Sequence, residues 1–245
     1  MSNHNIYFSS PSSENDLIGE ELNSSIRDIF SSQVLILGEG VSRFEKNFSN
    51  YIGSEYCVGL NSGTDALIIS MKALGIGPGD EVITTNMSAL ATLASIVAVG
   101  ATPVLVDVND DMLANLKHID MNITEKTKAV IYVHLYGDGT NAREISDLCD
   151  QNKIDLIEDC AQSAGSKCDD KFTGSFGKLS AFSFYPTKNL ASIGDGGAVI
   201  TSDEELFNKV KQIRQYGWDD ERNPQSTGIN SRLDEIQAKV LNVKL

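Results

Sequence analysis

Three short segments hold side chains that could do chemistry, and each begins where an apolar run gives way to polar residues. The sharpest is Ser180-Ala-Phe-Ser183-Phe-Tyr-Pro-Thr-Lys188, an aromatic strand that delivers a lysine, followed by the turn Gly194-Asp-Gly-Gly197. A lysine stripped of water behind such a strand favours the neutral amine that Schiff-base chemistry requires. A solvated loop lysine is the competing reading. The second segment, Ile154-Asp-Leu-Ile-Glu-Asp159-Cys-Ala-Gln162, puts Asp159 at the carboxyl edge of a sheet, where ligands of open α/β folds bind. A carboxylate buried there needs a cation or several donors, unless it merely caps the next turn. Glu158, one residue earlier on the same strand, points to the opposite face. The third segment, Asn61-Ser-Gly63-Thr64-Asp-Ala-Leu67, follows a strand and opens a helix, so the N–H groups near Gly63 and Thr64 point at whatever lies above the strand end. A phosphate suits that position, although Ser62-x-x-Asp65 also reads as a plain capping box. A helix terminus contributes only ~0.3–2 kcal/mol toward an anion. A dianion held there therefore needs further donors from elsewhere.

The elements that must position these residues follow from the patterning. Apolar, β-branched runs at Tyr56–Leu60, Glu81–Thr85, Pro103–Val108, Ala129–His134, Ile154–Asp159, Ser180–Phe184 and Ala198–Thr201 read as strands. Helix-like stretches at Asp65–Leu74, Ala89–Val99, Ala142–Asn152 and Glu204–Tyr216 lie between them. That alternation predicts an α/β fold with a mostly parallel central sheet covered by helices on both faces. Before residue 56, amphipathic segments around Ile26–Phe30 and Val41–Phe48 are expected to pack on the sheet domain from outside. No G-x-G-x-x-G follows a strand, so a dinucleotide fold has little support. At the other end, Leu233, Ile236, Val240 and Val243 form a helical stripe that reaches Leu245 without a capping Gly or Pro. The expectation is a helix whose natural continuation supplies a small C-terminal domain, largely missing from these 245 residues.

Composition narrows the partners. With 20 Lys+Arg against 34 Asp+Glu the net charge is −14, which repels nucleic acid and anionic membrane surfaces. Length allows one large α/β domain or two small ones at roughly 150 residues per domain. Cys57, Cys149, Cys160 and Cys168 show no C-x-x-C spacing, and His4, His118 and His134 are not at ligand spacing to them, so no metal site is expected. Reduced thiols and a cytoplasmic location are the plain reading. The amino terminus lacks a basic start followed by an apolar run, and the most apolar stretch, Leu90–Val99, is too short to span a membrane. His134, near a strand end, reads as a satisfied structural histidine.

Taken in order, Ser-Gly-Thr-Asp-Ala-Leu, Ile-Glu-Asp-Cys-Ala-Gln, Phe-Ser-Phe-Tyr-Pro-Thr-Lys-Asn-Leu, Gly-Asp-Gly-Gly-Ala-Val and Gly228-Ile-Asn230-Ser-Arg232 resemble the DegT/StrS group of sugar-nucleotide aminotransferases. These are fold type I enzymes that use pyridoxal 5′-phosphate, and the likeness runs from about residue 38 to the end. The resemblance implies Lys188 as the lysine that holds the cofactor in Schiff-base linkage, Asp159 under the pyridinium nitrogen and Gln162 near the phenolic oxygen. It implies Gly63, Thr64 and Ser183 at the phosphate. It also implies Asn230 inserted from a neighbouring subunit, and hence a homodimer with shared active sites. Residues 38–230 would be the cofactor-binding large domain, 1–37 a segment packed on it, and 231–245 the start of a helix into the C-terminal domain.

The implied reaction moves an amino group from an amino acid, glutamate by resemblance, to a keto-deoxy-sugar of a nucleoside-diphosphate sugar. It would serve amino-sugar biosynthesis for surface polysaccharide such as lipopolysaccharide O-antigen, or for a secondary metabolite. One departure stands out: Ala89 occupies the place where many members stack an aromatic ring on the cofactor, which suggests the subclass acting on 3-keto sugars. A related sugar dehydratase is the first alternative, but those relatives carry a histidine in place of the lysine. A non-catalytic cofactor-binding or dimerising protein is the second.

Overall fold

In the computed structural model, residues 11–32, 34–219 and 221–245 are described. Residues 1–10 of the expected N-terminal segment, His4 among them, lie outside the described residues. Helices α1 (Pro11–Ser32) and α2 (Glu39–Ile52) precede strand β1 (Tyr56–Leu60). Strands and helices then alternate as α3 (Gly63–Ala73), β2 (Glu81–Thr85), α4 (Leu90–Ala98), β3 (Thr102–Val106), α5 (Leu116–Met121), β4 (Thr127–Val133), α6 (Ala142–Asn152) and β5 (Asp155–Asp159). A hairpin of two-residue strands, β6 (Lys167–Cys168) and β7 (Lys171–Phe172), leads to β8 (Leu179–Ser183), β9 (Gly197–Thr201), α7 (Glu204–Ile213) and α8 (Glu235–Lys244).

The central sheet has seven strands in the order β1-β9-β8-β5-β4-β2-β3. Pairs β8–β5, β5–β4, β4–β2 and β2–β3 are parallel, while β9 runs antiparallel to both β1 and β8. The expected α/β fold with a mostly parallel sheet covered on both faces is therefore what the chain adopts. Because β9 is reversed, six strands end on one edge and β9 begins there: Gly197 pairs with both Leu60 and Ser183. The segments that follow β1, β2, β4, β5 and β8 thus converge on that edge.

Alternation along the strands feeds two faces. On one, Val58, Leu60, Ile131, Ile157, Ala181 and Val199 pack with Leu67, Ile69 and Met71 of α3 and Leu206 and Val210 of α7. On the other, Cys57, Phe182 and Ile200 meet Val41, Phe44, Phe48 and Ile52 of α2 and Ala238 and Leu241 of α8. Phe48 sets its ring edge-on to Phe182 and Phe184 at 5.0 and 5.3 Å, a favoured aromatic geometry. Nearer the β2 and β4 side, Ile83, Val130 and Tyr132 pack against Ile145 and Cys149 of α6.

Several boundaries differ from the sequence reading for identifiable reasons. Helix α7 stops at Ile213 rather than Tyr216, since Tyr216 and Gly217 take positive φ of 61° and 80° and turn the chain back. The segment around Ile26–Phe30 is the end of the longer α1, which buries Ile29 and leaves Phe30 exposed. In α8 the buried residues include Ala238, Val240 and Leu241, whereas Ile236 and Val243 are only half-buried. Helix α2 starts without a side-chain cap of its own. Glu235 of α8 supplies it, Oε1 accepting from the N–H groups of Gly38 and Val41 at 2.7 and 2.9 Å and Oε2 from Gly40 at 2.9 Å.

Candidate active site

Asp159 closes β5 at the shared carboxyl edge and is only 5% exposed. Its Oδ1 accepts the Ala161 N–H at 3.2 Å, and its Oδ2 accepts the hydroxyl of Thr92, in α4, at 2.9 Å. Burial pushes this carboxyl up. The Thr92 and Ala161 hydrogen bonds, then the positive charges of Lys188 and His134, pull it back without cancelling the rise. Lys188 thus lies within electrostatic reach of Asp159, although the two sit on different strand-end segments. It is half-buried rather than enclosed, in a turn where its N–H donates to the Tyr185 carbonyl at 2.8 Å.

Glu158 faces away from this edge, as strand alternation requires. It is fully buried, and Oε1 accepts from His134 Nε2 at 2.9 Å and the Gly174 N–H at 2.8 Å. Oε2 accepts from the Phe176 and Gly177 N–H groups at 2.8 and 2.6 Å and from the Ser180 hydroxyl at 3.1 Å. Burial pushes Glu158 up, but the His134 bond and charge together with the Gly174 and Gly177 amides hold it below the usual carboxylate range. His134 Nδ1 meets the Asp138 carbonyl at 3.2 Å, so the ring is satisfied on both nitrogens. The fold brings His134, Glu158 and Cys160 within 4.8 Å of one another, a grouping that the spacing along the chain did not suggest. Glu158 is already filled by five donors, and burial pushes the Cys160 thiol well up. The cluster is structural.

Gln162, three residues past Asp159, accepts the Tyr136 N–H on Oε1 at 2.7 Å, which fixes the amide orientation and leaves its NH2 as a donor. Tyr136 is exposed and holds a positive φ of 57° in the turn after β4.

The third segment meets the end of β8. Ser62 caps α3, its Oγ accepting the Asp65 N–H at 3.1 Å. Only half of the capping box forms, because the Asp65 carboxylate instead takes the hydroxyl of Ser231 at 2.7 Å. Gly63 is pressed on β8 so closely that a Cβ there would lie 2.6 Å from the Ser183 Cβ, and one on Gly197 would collide with the Ser62 carbonyl. Among the described residues the N–H groups of Gly63 and Thr64 meet no protein acceptor. Two uncommitted amides beside the Ser183 hydroxyl make a site for an anion. Asn230 stands apart: it is exposed, and its segment bridges to Gln215 rather than to Asp159, Gln162 or Lys188. Ala89 immediately precedes α4 and is exposed on the same edge.

Residues 16–245 match the model of the DegT/DnrJ/EryC1/StrS aminotransferase family. The chain belongs to that family. Among its relatives, a dTDP-3-amino-3,4,6-trideoxy-alpha-D-glucose transaminase of Micromonospora megalomicea subsp. nigra is 40% identical over 226 residues, covering 90% of this chain and 60% of the relative. A dTDP-3-amino-3,6-dideoxy-alpha-D-galactopyranose transaminase of Aneurinibacillus thermoaerophilus is 42% identical over 228 residues, covering 92% of this chain and 62% of the relative. The crystal structure of DesV from S. venezuelae in complex with a ketimine intermediate superposes with a TM-score of 0.95 at 36% identity, covering 98% of this chain and 65% of that one. The chain thus spans about three-fifths of the length of the two transaminases.

Within this DegT/DnrJ/EryC1/StrS member, the sequence motifs did not single out Thr92, Ser88 or Tyr136. Thr92 acts on Asp159 and Tyr136 on Gln162, partners distant in sequence, while Ser88 reaches the site only through Thr92, four residues on, so no local pattern marks them. The one local hint was Thr92 itself, a hydroxyl in the first turn of a largely apolar helix whose other hydroxyl is Ser95.

Proposed function

We propose that this chain binds pyridoxal 5′-phosphate and belongs to an aminotransferase that moves an amino group from glutamate to a keto-deoxy-sugar carried on a nucleoside diphosphate. The observation that carries the reading is the convergence at one sheet edge of a half-buried lysine, a buried carboxylate and a helix start with two uncommitted amides. Each matches a part of the cofactor. Gly63, Thr64 and Ser183 would hold the phosphate, Asp159 the ring nitrogen, and the Gln162 NH2 the phenolic oxygen. When bound, the cofactor supplies an electron sink that lets the substrate amine lose its α-proton.

The protein's own residues do the rest. Asp159, ionised, would keep a proton on the ring nitrogen and would gain there the cation that its burial calls for. Lys188 would hold the cofactor through its Nζ, and the same Nζ would be the group placed to carry a proton between carbons. Asn230 enters the site of a partner copy, giving a homodimer. The cofactor-binding body is residues 38–230, with 1–37 packed on it and 231–245 opening the path to the C-terminal domain.

For the sugar, we favour a 3-keto substrate. A small residue at Ala89 leaves room beside the cofactor, and the names of both transaminases above specify a 3-amino product. We place it in the cytoplasm, in amino-sugar biosynthesis for surface polysaccharide such as O-antigen or for a secondary metabolite; a net charge of −14 disfavours nucleic acid and anionic membrane surfaces as partners. No helix among the described residues is long and apolar enough to cross a membrane.

An absorbance titration tests the reading. Pyridoxal phosphate added to the purified chain gives a visible band that moves to the near-ultraviolet band of the pyridoxamine form when glutamate follows, and Lys188→Ala abolishes both changes. Retained turnover in Lys188→Ala refutes the lysine assignment. Offered in parallel, a 4-keto nucleotide sugar consumed while the 3-keto one is left removes the subclass.

A further inference from the structure

Few groups satisfy Asp159, and one of them is part of a chain. The Thr92 hydroxyl, 1% exposed in the first turn of α4, lies 2.9 Å from Asp159 Oδ2 and 2.7 Å from the Ser88 hydroxyl. A hydroxyl owns one hydrogen, and an ionised carboxylate only accepts. The direction is therefore fixed: Ser88 donates to Thr92, and Thr92 donates to Asp159. Each bond in such a chain polarises the next and strengthens the last acceptor contact.

We propose that Thr92, backed by Ser88, is a positioning residue that keeps the Asp159 carboxylate ionised and fixes its rotation for the ring nitrogen of pyridoxal phosphate. The inference rests on the cofactor reading above and goes beyond it, because neither hydroxyl touches the cofactor in that reading. Geometry leaves little else for the task. The ionisable groups that bear on Asp159 are Lys188 from the turn after β8, His134 from the end of β4 and the adjacent buried Cys160 thiol, which burial pushes well up. Helix α4 brings no ionisable side chain. Glu158 lies on the opposite face and is committed to His134. In that reading the Lys188 Nζ would be committed to the cofactor, so it is not a constant partner of Asp159, whereas the Thr92 bond does not depend on it. Burial pushes Asp159 up, and the Thr92 hydrogen bond is the largest single influence against it.

The test titrates pyridoxal phosphate into the full chain and its Thr92→Val, Thr92→Ser and Ser88→Ala variants across pH, following the visible band, with circular dichroism as the check on folding. Thr92→Val keeps the volume and loses the donor, so the cofactor binds roughly ten- to a hundredfold more weakly. The acid limb of binding also moves to higher pH, since the carboxylate now protonates more readily. Thr92→Ser restores affinity and limb together, and Ser88→Ala moves both the same way by less. A merely structural threonine would lower stability without moving the limb. If a folded Thr92→Val matches the parent within about twofold with the limb unmoved, the relay is wrong and the cofactor reading stands. Failure of the parent to take up the cofactor overturns both. Should Thr92→Val unfold, Ser88→Ala decides, and an unmoved limb there overturns the proposal.

Discussion

Neighbouring acids on one strand have opposite fates here, and the difference is decided by which face each meets. Asp159 looks onto the open edge with two donors, while Glu158 looks inward and collects five. Glu158 fastens β4 and the Gly174–Ser180 segment to β5, so it holds Asp159 in place from behind. Replacing Glu158 by alanine strips partners from a buried histidine and three amides, a class of change that costs about 3–5 kcal/mol. Urea unfolding should show that loss, and a change under about 1 kcal/mol would mean that water replaces the carboxylate. A pH effect follows with a definite sign. Glu158 is held below its ordinary value, so its stabilisation is present above the usual carboxylate range and fades as pH falls through the lowered folded value. Asp159, held above its ordinary value, acts in the opposite sense and gains protons in the same acid region. Glu158→Gln should therefore flatten the acid decline in stability. An unchanged decline would assign it to other carboxylates.

At the level of elements, the contacts that lock the edge in place are mostly long-range, and this sets what could be read from the sequence. Strands β2, β4, β5 and β8 were legible because their β-branched and aromatic runs carry the signal locally. The insertion of β9 between β1 and β8, antiparallel to both, was not, since nothing in Gly197–Thr201 encodes its neighbours. The hairpin β6–β7 is too short for any period to register. Lys188, Asp159 and the Gly63–Thr64 pair were visible as motifs because each follows its own strand directly. The Thr92 contact spans 67 residues and the cap on α2 spans up to 197, so neither leaves a trace in spacing. That cap makes a prediction of its own. Glu235 replaces the missing side-chain cap of α2 with one carboxylate serving three amides, and α2 carries Phe44 and Phe48 into the core behind β8. Glu235→Ala should cost about 0.5–2 kcal/mol, the usual range for a lost cap. It should also speed hydrogen exchange in the first turn of α2 before the sheet is affected. Uniform faster exchange across sheet and helix would show that α2 and α8 do not open as a local unit.

At the scale of the whole molecule, the position of Asn230 is the sharpest question. Within one chain the other predicted site residues gather at the carboxyl edge, while Asn230 is exposed on a segment bridged to Gln215. A residue of one chain that serves the site of another is economical in a two-fold dimer, where the same patch is used twice. Mixed subunits distinguish this from action within the chain. In a dimer of one Lys188→Ala and one Asn230→Ala subunit, action across the interface puts both defects in the same site and leaves the other intact. Random mixing of equal amounts then restores roughly a quarter of the wild-type sites, because half of the dimers are mixed and each has one good site of two. Action within the chain leaves every site of every dimer with one defect, and mixing restores nothing. The readout is conversion of bound cofactor to the pyridoxamine form by glutamate, with each variant alone as the baseline. Recovery to about that level supports the shared site, and a mixture no better than its parts removes Asn230 from the partner's site.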